Sequence, residues 1–204
     1  MKFNTLYIAG VFVIAGATSN LFGTSVMTQE SNSDKFFDQV NALCGQAFSG
    51  GVDHDISNVS RYSDQKLILH IRDCSDSQIK IPLHVGDNSS RILIFTKNAG
   101  SIKLQHDHRH QDGTSDDLTL YGGYNTASGV ANAQSFSEST ESTEIFKAFA
   151  KDRSRPSVWS LTLNPEEITY QLVRPGMVIA FKFDLSKPVA HPPIAWDLST
   201  TSHN

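Results

Sequence analysis

The sequence predicts a mainly all-β fold: an antiparallel up-and-down β-barrel or sandwich, with a short N-terminal helix and one inserted helix. Three observations carry this. Short apolar runs with period-two alternation recur from residue 46 to residue 185. Most are joined by tight turns such as Asn98-Ala99-Gly100, Asn164-Pro165-Glu166 and Pro175-Gly176. Apolar residues at helical spacing occur in only two places, near 35–43 and 141–151. A closed barrel is favoured because a long meander otherwise exposes its edges.

Taken in order, the chain opens on a stretch that reads as an export signal. Lys2 supplies the positive start and residues 6–17 are small and apolar. Ala17-Thr18-Ser19 fits the small-x-small cleavage rule, so 1–19 is the expected signal peptide. At about a dozen residues the run is too short for a permanent span. No other stretch is apolar enough for a transmembrane helix, so no stable membrane insertion is expected after cleavage. Residues 20–33 are rich in Ser, Thr and Asn and read as a flexible leader. Ser33 or Asp34 then caps a helix over 35–43, with Phe36, Phe37, Val40 and Leu43 as its apolar stripe.

A single domain is expected over 34–186. Its strands are placed at 46–52, 66–73, 78–85, 91–97, the histidine run, 118–121, 157–164, 167–174 and 176–185. Gly50 and Gly51 mark a bulge in the first, and Pro82 marks an edge or bulge in the third. Residues 124–140 lack a period and read as a long surface loop. In the helix at 141–151 acid comes early and Lys147 and Lys151 late, which suits the helix dipole. Residues 187–204, around Pro188, Pro192 and Pro193, read as an irregular, loosely held tail.

Composition narrows the function. The chain has 204 residues and a formal net charge of -4, and a pI near 6.0. That is enough for one sizeable core. No basic stripe is present to neutralise phosphates, which argues against a nucleic-acid partner. The nearest cluster, at 151–155, reads as a solvated loop. Export makes a Cys44–Cys74 disulfide the expected use of the two cysteines. The expected location is periplasmic or secreted. In the chain-entropy model, closing about thirty residues contributes about 3–4 kcal/mol.

The candidate site is the run from Gly100 to Gly123. His106, His108 and His110 alternate with Asp107 and Arg109, and Asp112-Gly113 then turns the chain. On a strand the three imidazoles share a face with Ile102 and Leu104. Imidazole suits zinc or a similar divalent transition metal. Residues i and i+2 lie about 7 Å apart, and His106 and His110 about 13 Å, so one ion would take two adjacent histidines. A further ligand would come from a neighbouring strand. Tyr121, Thr119 and Asp117 face the histidines if the hairpin pairs His108 with Thr119, and a one-residue slip would bring Leu118 and Leu120 instead. His70 and His84 are weaker candidates for a third ligand. Asp112 and Tyr121 are the expected ligand-binding partners of the histidines. Equally, the run is a wet strand end with Asp107 and Arg109 paired outside. No Gly-x-Ser-x-Gly, phosphate loop or dinucleotide fingerprint occurs, and Glu166-Glu167 reads as a solvated turn.

Three resemblances bear on this reading. The order of elements from Phe36 to Leu185 is similar to the calycin, lipocalin-like barrels. Their Gly-x-Trp motif would fall in Leu43-Cys44-Gly45-Gln46-Ala47-Phe48, where Phe48 stands one place beyond the tryptophan position. The histidine run with Tyr121-Gly122-Gly123 resembles a group of bacterial secreted proteins with no assigned activity, which implies secretion. Gly100, His106, His108 and Asp112 match the spacing of the first cupin metal motif, with Asp for Glu, and the second motif has no counterpart. Three functions stay open: a barrel binding a small-molecule ligand or metal ion, a metal-dependent enzyme using His106 and His108, and a non-catalytic envelope interaction module.

Overall fold

The computed structural model describes residues 30–55, 62–125, 129–149 and 156–198. The expected signal peptide at 1–19, the leader up to residue 29, the basic cluster at 151–155 and the end of the tail at 199–204 lie outside the described residues.

Helix α1 (Asn32–Asn41) begins with a capping box. Asp34 N donates to Ser31 Oγ at 3.1 Å, and Ser31 N donates to Asp34 Oδ2 at 3.4 Å. The cap therefore falls on Ser31, not on Ser33 or Asp34. Asp34 serves as the acid three residues on, and ordered structure reaches into the stretch read as leader. Phe36, Phe37 and Val40 are buried against the core.

The strands are β1 (Ala47–Asp55), β2 (Leu67–His70), β3 (Asp73–Cys74), β4 (Gln78–Val85), β5 (Asn88–Asn98), β6 (Ser101–His108), β7 (Tyr121–Asn125) and β8 (Ala133–Glu138). After helix α2 (Thr140–Phe149) come β9 (Val158–Asn164), β10 (Glu167–Arg174) and β11 (Met177–Val189). From β4 to β11 each strand pairs with the next in sequence. β11 then pairs with β1, β1 with β2 and β2 with β4, closing a ten-stranded antiparallel barrel. Closure leaves no long free edge among the described residues. The barrel is the class expected, and its layout agrees with the calycin-like order of elements.

Apolar residues point inward: Leu67 and Leu69, Ile79 and Ile81, Trp159 and Leu161 are all buried. The outward positions of β9 to β11 carry Ser160, Thr162, Thr169, Gln171 and Lys182. This is the reverse of a lipid-facing barrel, whose apolar band is on the outside. Among the described residues no helix is long and apolar enough to cross a membrane.

Several boundaries differ from the sequence expectation. The 66–73 strand breaks into β2 and β3, and β4 pairs first with one and then with the other. Pro82 lies in that gap, where no ladder donor is required of it. β1 carries its bulges on either side of Gly50–Val52, as the glycines indicate. At Gly50 a Cβ would lie 2.2 Å from the Lys182 carbonyl oxygen.

The expected loop at 124–140 contains strand β8, and β7 begins where the 118–121 strand was expected to end. The reason is steric. A Cβ on Gly122 would sit 1.9 Å from Leu104 O, and one on Gly123 1.7 Å from Ser137 O. These glycines let three strands approach, although glycine favours strands poorly.

The tail also departs from expectation. β11 runs on to Val189, and residues 190–198 lie across the outside of the barrel. The Arg72 guanidinium donates to both oxygens of Asp197, at 2.8 and 2.7 Å. His191 Nε2 donates to Gly45 O at 2.7 Å, and Ala195 is buried. Cys44 and Cys74 form the disulfide, fastening the end of α1 to β3.

Candidate functional site

α1 plugs one end of the barrel, and a cavity of about 270 Å³ opens toward the other. That end holds the start of β5, the end of β6, the β10–β11 turn and α2. The walls are aromatic and aliphatic: Tyr62, Tyr121, Phe146, Trp159, Tyr170 and Phe181, with Leu83, Leu93, Leu118, Leu172, Met177 and Ile179. His106, His108, Arg91, Arg174 and Ser157 supply the polar groups.

Strand parity puts the histidines there. On β6, Ile102, Leu104 and His106 are buried on the inner face, and His108 follows at the rim. The His106 ring stacks on Tyr121, with centroids 4.8 Å apart and planes 13° apart, and lies 5.0 Å from Trp159. Its Nδ1 donates to the Tyr121 carbonyl at 3.2 Å, so its Nε2 accepts from the Tyr170 hydroxyl at 2.5 Å. Both donors and acceptors are thus satisfied by a neutral imidazole. Burial, with His108 nearby, pushes His106 down to about 3. Burial also pushes the Tyr170 phenol well above its ordinary range.

His108 Nε2 lies 3.0 Å from the Tyr121 hydroxyl. Burial and then the Arg91 charge push His108 down to about 4, against the opposing pull of Asp116 and Asp107. At neutral pH the cavity therefore holds two neutral imidazoles and the guanidiniums of Arg91 and Arg174. No carboxylate lines it among the described residues.

The other expected site residues lie elsewhere. His110 is exposed beyond the end of β6. Asp112 is exposed and closes the turn, its Oδ1 accepting from Thr114 N at 2.9 Å and Thr114 Oγ1 at 2.6 Å. These bonds hold its carboxyl below the usual range. Asp117 is also exposed. Thr119 Oγ1 accepts from His108 N at 2.7 Å and donates to the outward Asp107. Asp107 also pairs with Arg109 at 2.9 Å, so the exterior pairing expected of them is present.

Of the facing strand, Tyr121 does lie in the cavity, opposite His106 in the register. Leu118 lines it too, which strict alternation forbids for residues three apart. The chain resolves this at Leu120, whose φ of 58° turns it outward while its N–H reaches His106 O at 2.7 Å. Among the described residues no group of three or more His, Cys, Asp or Glu converges on one point.

His70 and His84 are on the outer face, under the 190–198 segment. His84 Nδ1 lies 2.8 Å from Ser89 Oγ, and the His70 and His191 rings are 4.8 Å apart. Burial pushes His84 down to about 4 and lowers His70 less.

Sequence reasoning missed Tyr170, Trp159, Arg91 and Arg174. The signal was parity. Tyr170 and Arg174 share the phase of Ile168 and Leu172, and Arg91 that of Leu93 and Phe95. Polar ends on apolar faces at one end of a barrel mark its mouth.

Comparison with family models, curated proteins and solved structures finds no match in any of the three. The class defined by fold and site is a closed ten-stranded barrel with an aromatic interior cavity that opens at one end.

Proposed function

We propose that this protein binds a small, mostly apolar molecule inside its barrel, with His106 and His108 as polar contacts near the mouth. The observation that carries the reading is the cavity itself. A space of about 270 Å³ walled by six aromatic residues lies inside the barrel. That is near the lower end of the usual range for ligand pockets, about 300–1,000 Å³, so the occupant is a small molecule. Such a ligand reaches micromolar to millimolar affinity at ordinary efficiency. The reading places the protein in an oxidising compartment, periplasmic or extracellular, which the Cys44–Cys74 bond supports.

The test is a fluorescence titration of the Trp196→Phe variant, leaving Trp159 as its sole tryptophan. Octanol, octanoate and 3-phenylpropanoate serve as probes. Saturable change with any of them supports interior binding, and a flat response to all three overturns it. Metal analysis runs alongside. A stoichiometric divalent ion, lost in a His106→Ala, His108→Ala double variant, would instead make the histidines a metal centre.

A further inference from the structure

The geometry points to an amphipathic monoanion as the ligand class, its acid group held at the mouth by Arg91 and its apolar body against Trp159. This rests on interior binding as proposed above and adds the charge and orientation of the occupant.

The argument begins with the asymmetry of the wall. The cavity contains two guanidiniums and, among the described residues, no carboxylate. Arg91 points inward by parity with Leu93 and Phe95, and its Nη1 donates to the neutral Asn88 side-chain oxygen at 2.8 Å. Its charge reaches the interior, where it depresses His108 and favours ionisation of Tyr170. Both imidazoles are neutral at physiological pH, so the guanidiniums are the charged groups that line the mouth among the described residues, with Asp107 and Asp116 outside the lining.

A guanidinium presents donors in a planar fork that suits a carboxylate, and Arg91 is half-buried at the rim, where that fork is open to an entering ligand. His108 and Tyr121 stand beside this position as further hydrogen-bonding groups. Trp159, Phe181 and Leu93 line the same cavity with mainly apolar surface, and a second charge against them would be costly. A neutral ligand would leave the field unused, and a cation would be opposed by it.

The test is a calorimetric titration of the intact protein with three probes of one shape: 3-phenylpropanoate, 3-phenylpropanol and 3-phenylpropylamine. The expected order is acid, then alcohol, then amine, with the acid at least tenfold tighter than the alcohol. In Arg91→Met the acid loses that advantage while alcohol affinity changes less than threefold, and Arg91→Lys restores part of it. Alcohol binding equal to or tighter than acid binding overturns the anion assignment and leaves interior binding standing. No binding by any probe refutes both. Acid preference unchanged in a folded Arg91→Met protein overturns the role of Arg91.

Discussion

Acidification should destabilise this protein as soon as pH falls below the ordinary histidine range. His84, His106 and His108 are buried, with folded values near 4, 3 and 4 against an ordinary 6.5. The cause for all three is mainly burial, and for His106 the neighbouring His108 adds to it. Depressed values mean that the folded state prefers the neutral ring. The associated stability is complete above pH 6.5 and is lost as pH falls from there through the folded values. At pH 4.5 the unfolded chain has gained about two pH units of protonation advantage at each ring, roughly 3 kcal/mol apiece. Together these approach an ordinary domain's whole stability of about 5–15 kcal/mol. Asp34, Asp112 and Asp184 are held below 3.8, so their losses begin lower. Urea unfolding followed by circular dichroism at pH 7 and pH 4.5, with the disulfide intact, measures the difference. A fall of several kcal/mol is expected. A change below about 1 kcal/mol would show that these rings are not held neutral by burial.

Other perturbations probe separate parts of the account. Removing the disulfide by a Cys44→Ala, Cys74→Ala pair should cost about 3–4 kcal/mol in a thermal or urea melt. Asp197→Ala should cost about 2–4 kcal/mol by leaving the largely buried Arg72 with only Asp73, and should expose 190–198 to protease. Unchanged proteolysis would mean that this pair does not hold the segment down. Gly122→Ala should destabilise by about 2 kcal/mol or more, because its Cβ would meet the Leu104 carbonyl oxygen at 1.9 Å. Phe37→Ala should cost about 3–5 kcal/mol by hollowing out the plug at the closed end.

Much of the fold was legible because alternation survives in the strands. KLILHIRD and QIKIPLHV announce both their period and their inner face, and the barrel follows from their number and their turns. The disulfide followed from two cysteines in a chain that reads as exported. β8 was invisible because its residues, AQSFSE, include only Phe136 as a large apolar group, and its neighbour β7 is built around two glycines. Their value is close approach, which depends on strands distant in sequence. The tail misled for a similar reason. Its prolines prevent regular pairing, but the ion pair that anchors it joins residues 125 positions apart.

The histidine run forms a strand as its alternation predicts, and of the two faces the sequence leaves open the structure turns His106 and His108 to the cavity. His110 was carried along by pattern, although β6 ends at His108 and the Asp112-Gly113 turn takes the chain into solvent. The resemblance to the first cupin motif fails at the same point: Asp112 is spent on its own turn. What no local pattern could supply is Tyr170, 64 residues from its partner His106 and brought to it only by closure of the barrel.

The most direct measurement is a set of nuclear Overhauser contacts between bound 3-phenylpropanoate and the protein. Interior binding predicts contacts from the phenyl protons to the rings of Trp159 and Phe181, and from the methylene next to the carboxylate to His108 or Arg91. Contacts confined to exposed groups such as Leu120, Ile194 or Leu198, with none to Trp159, would contradict it.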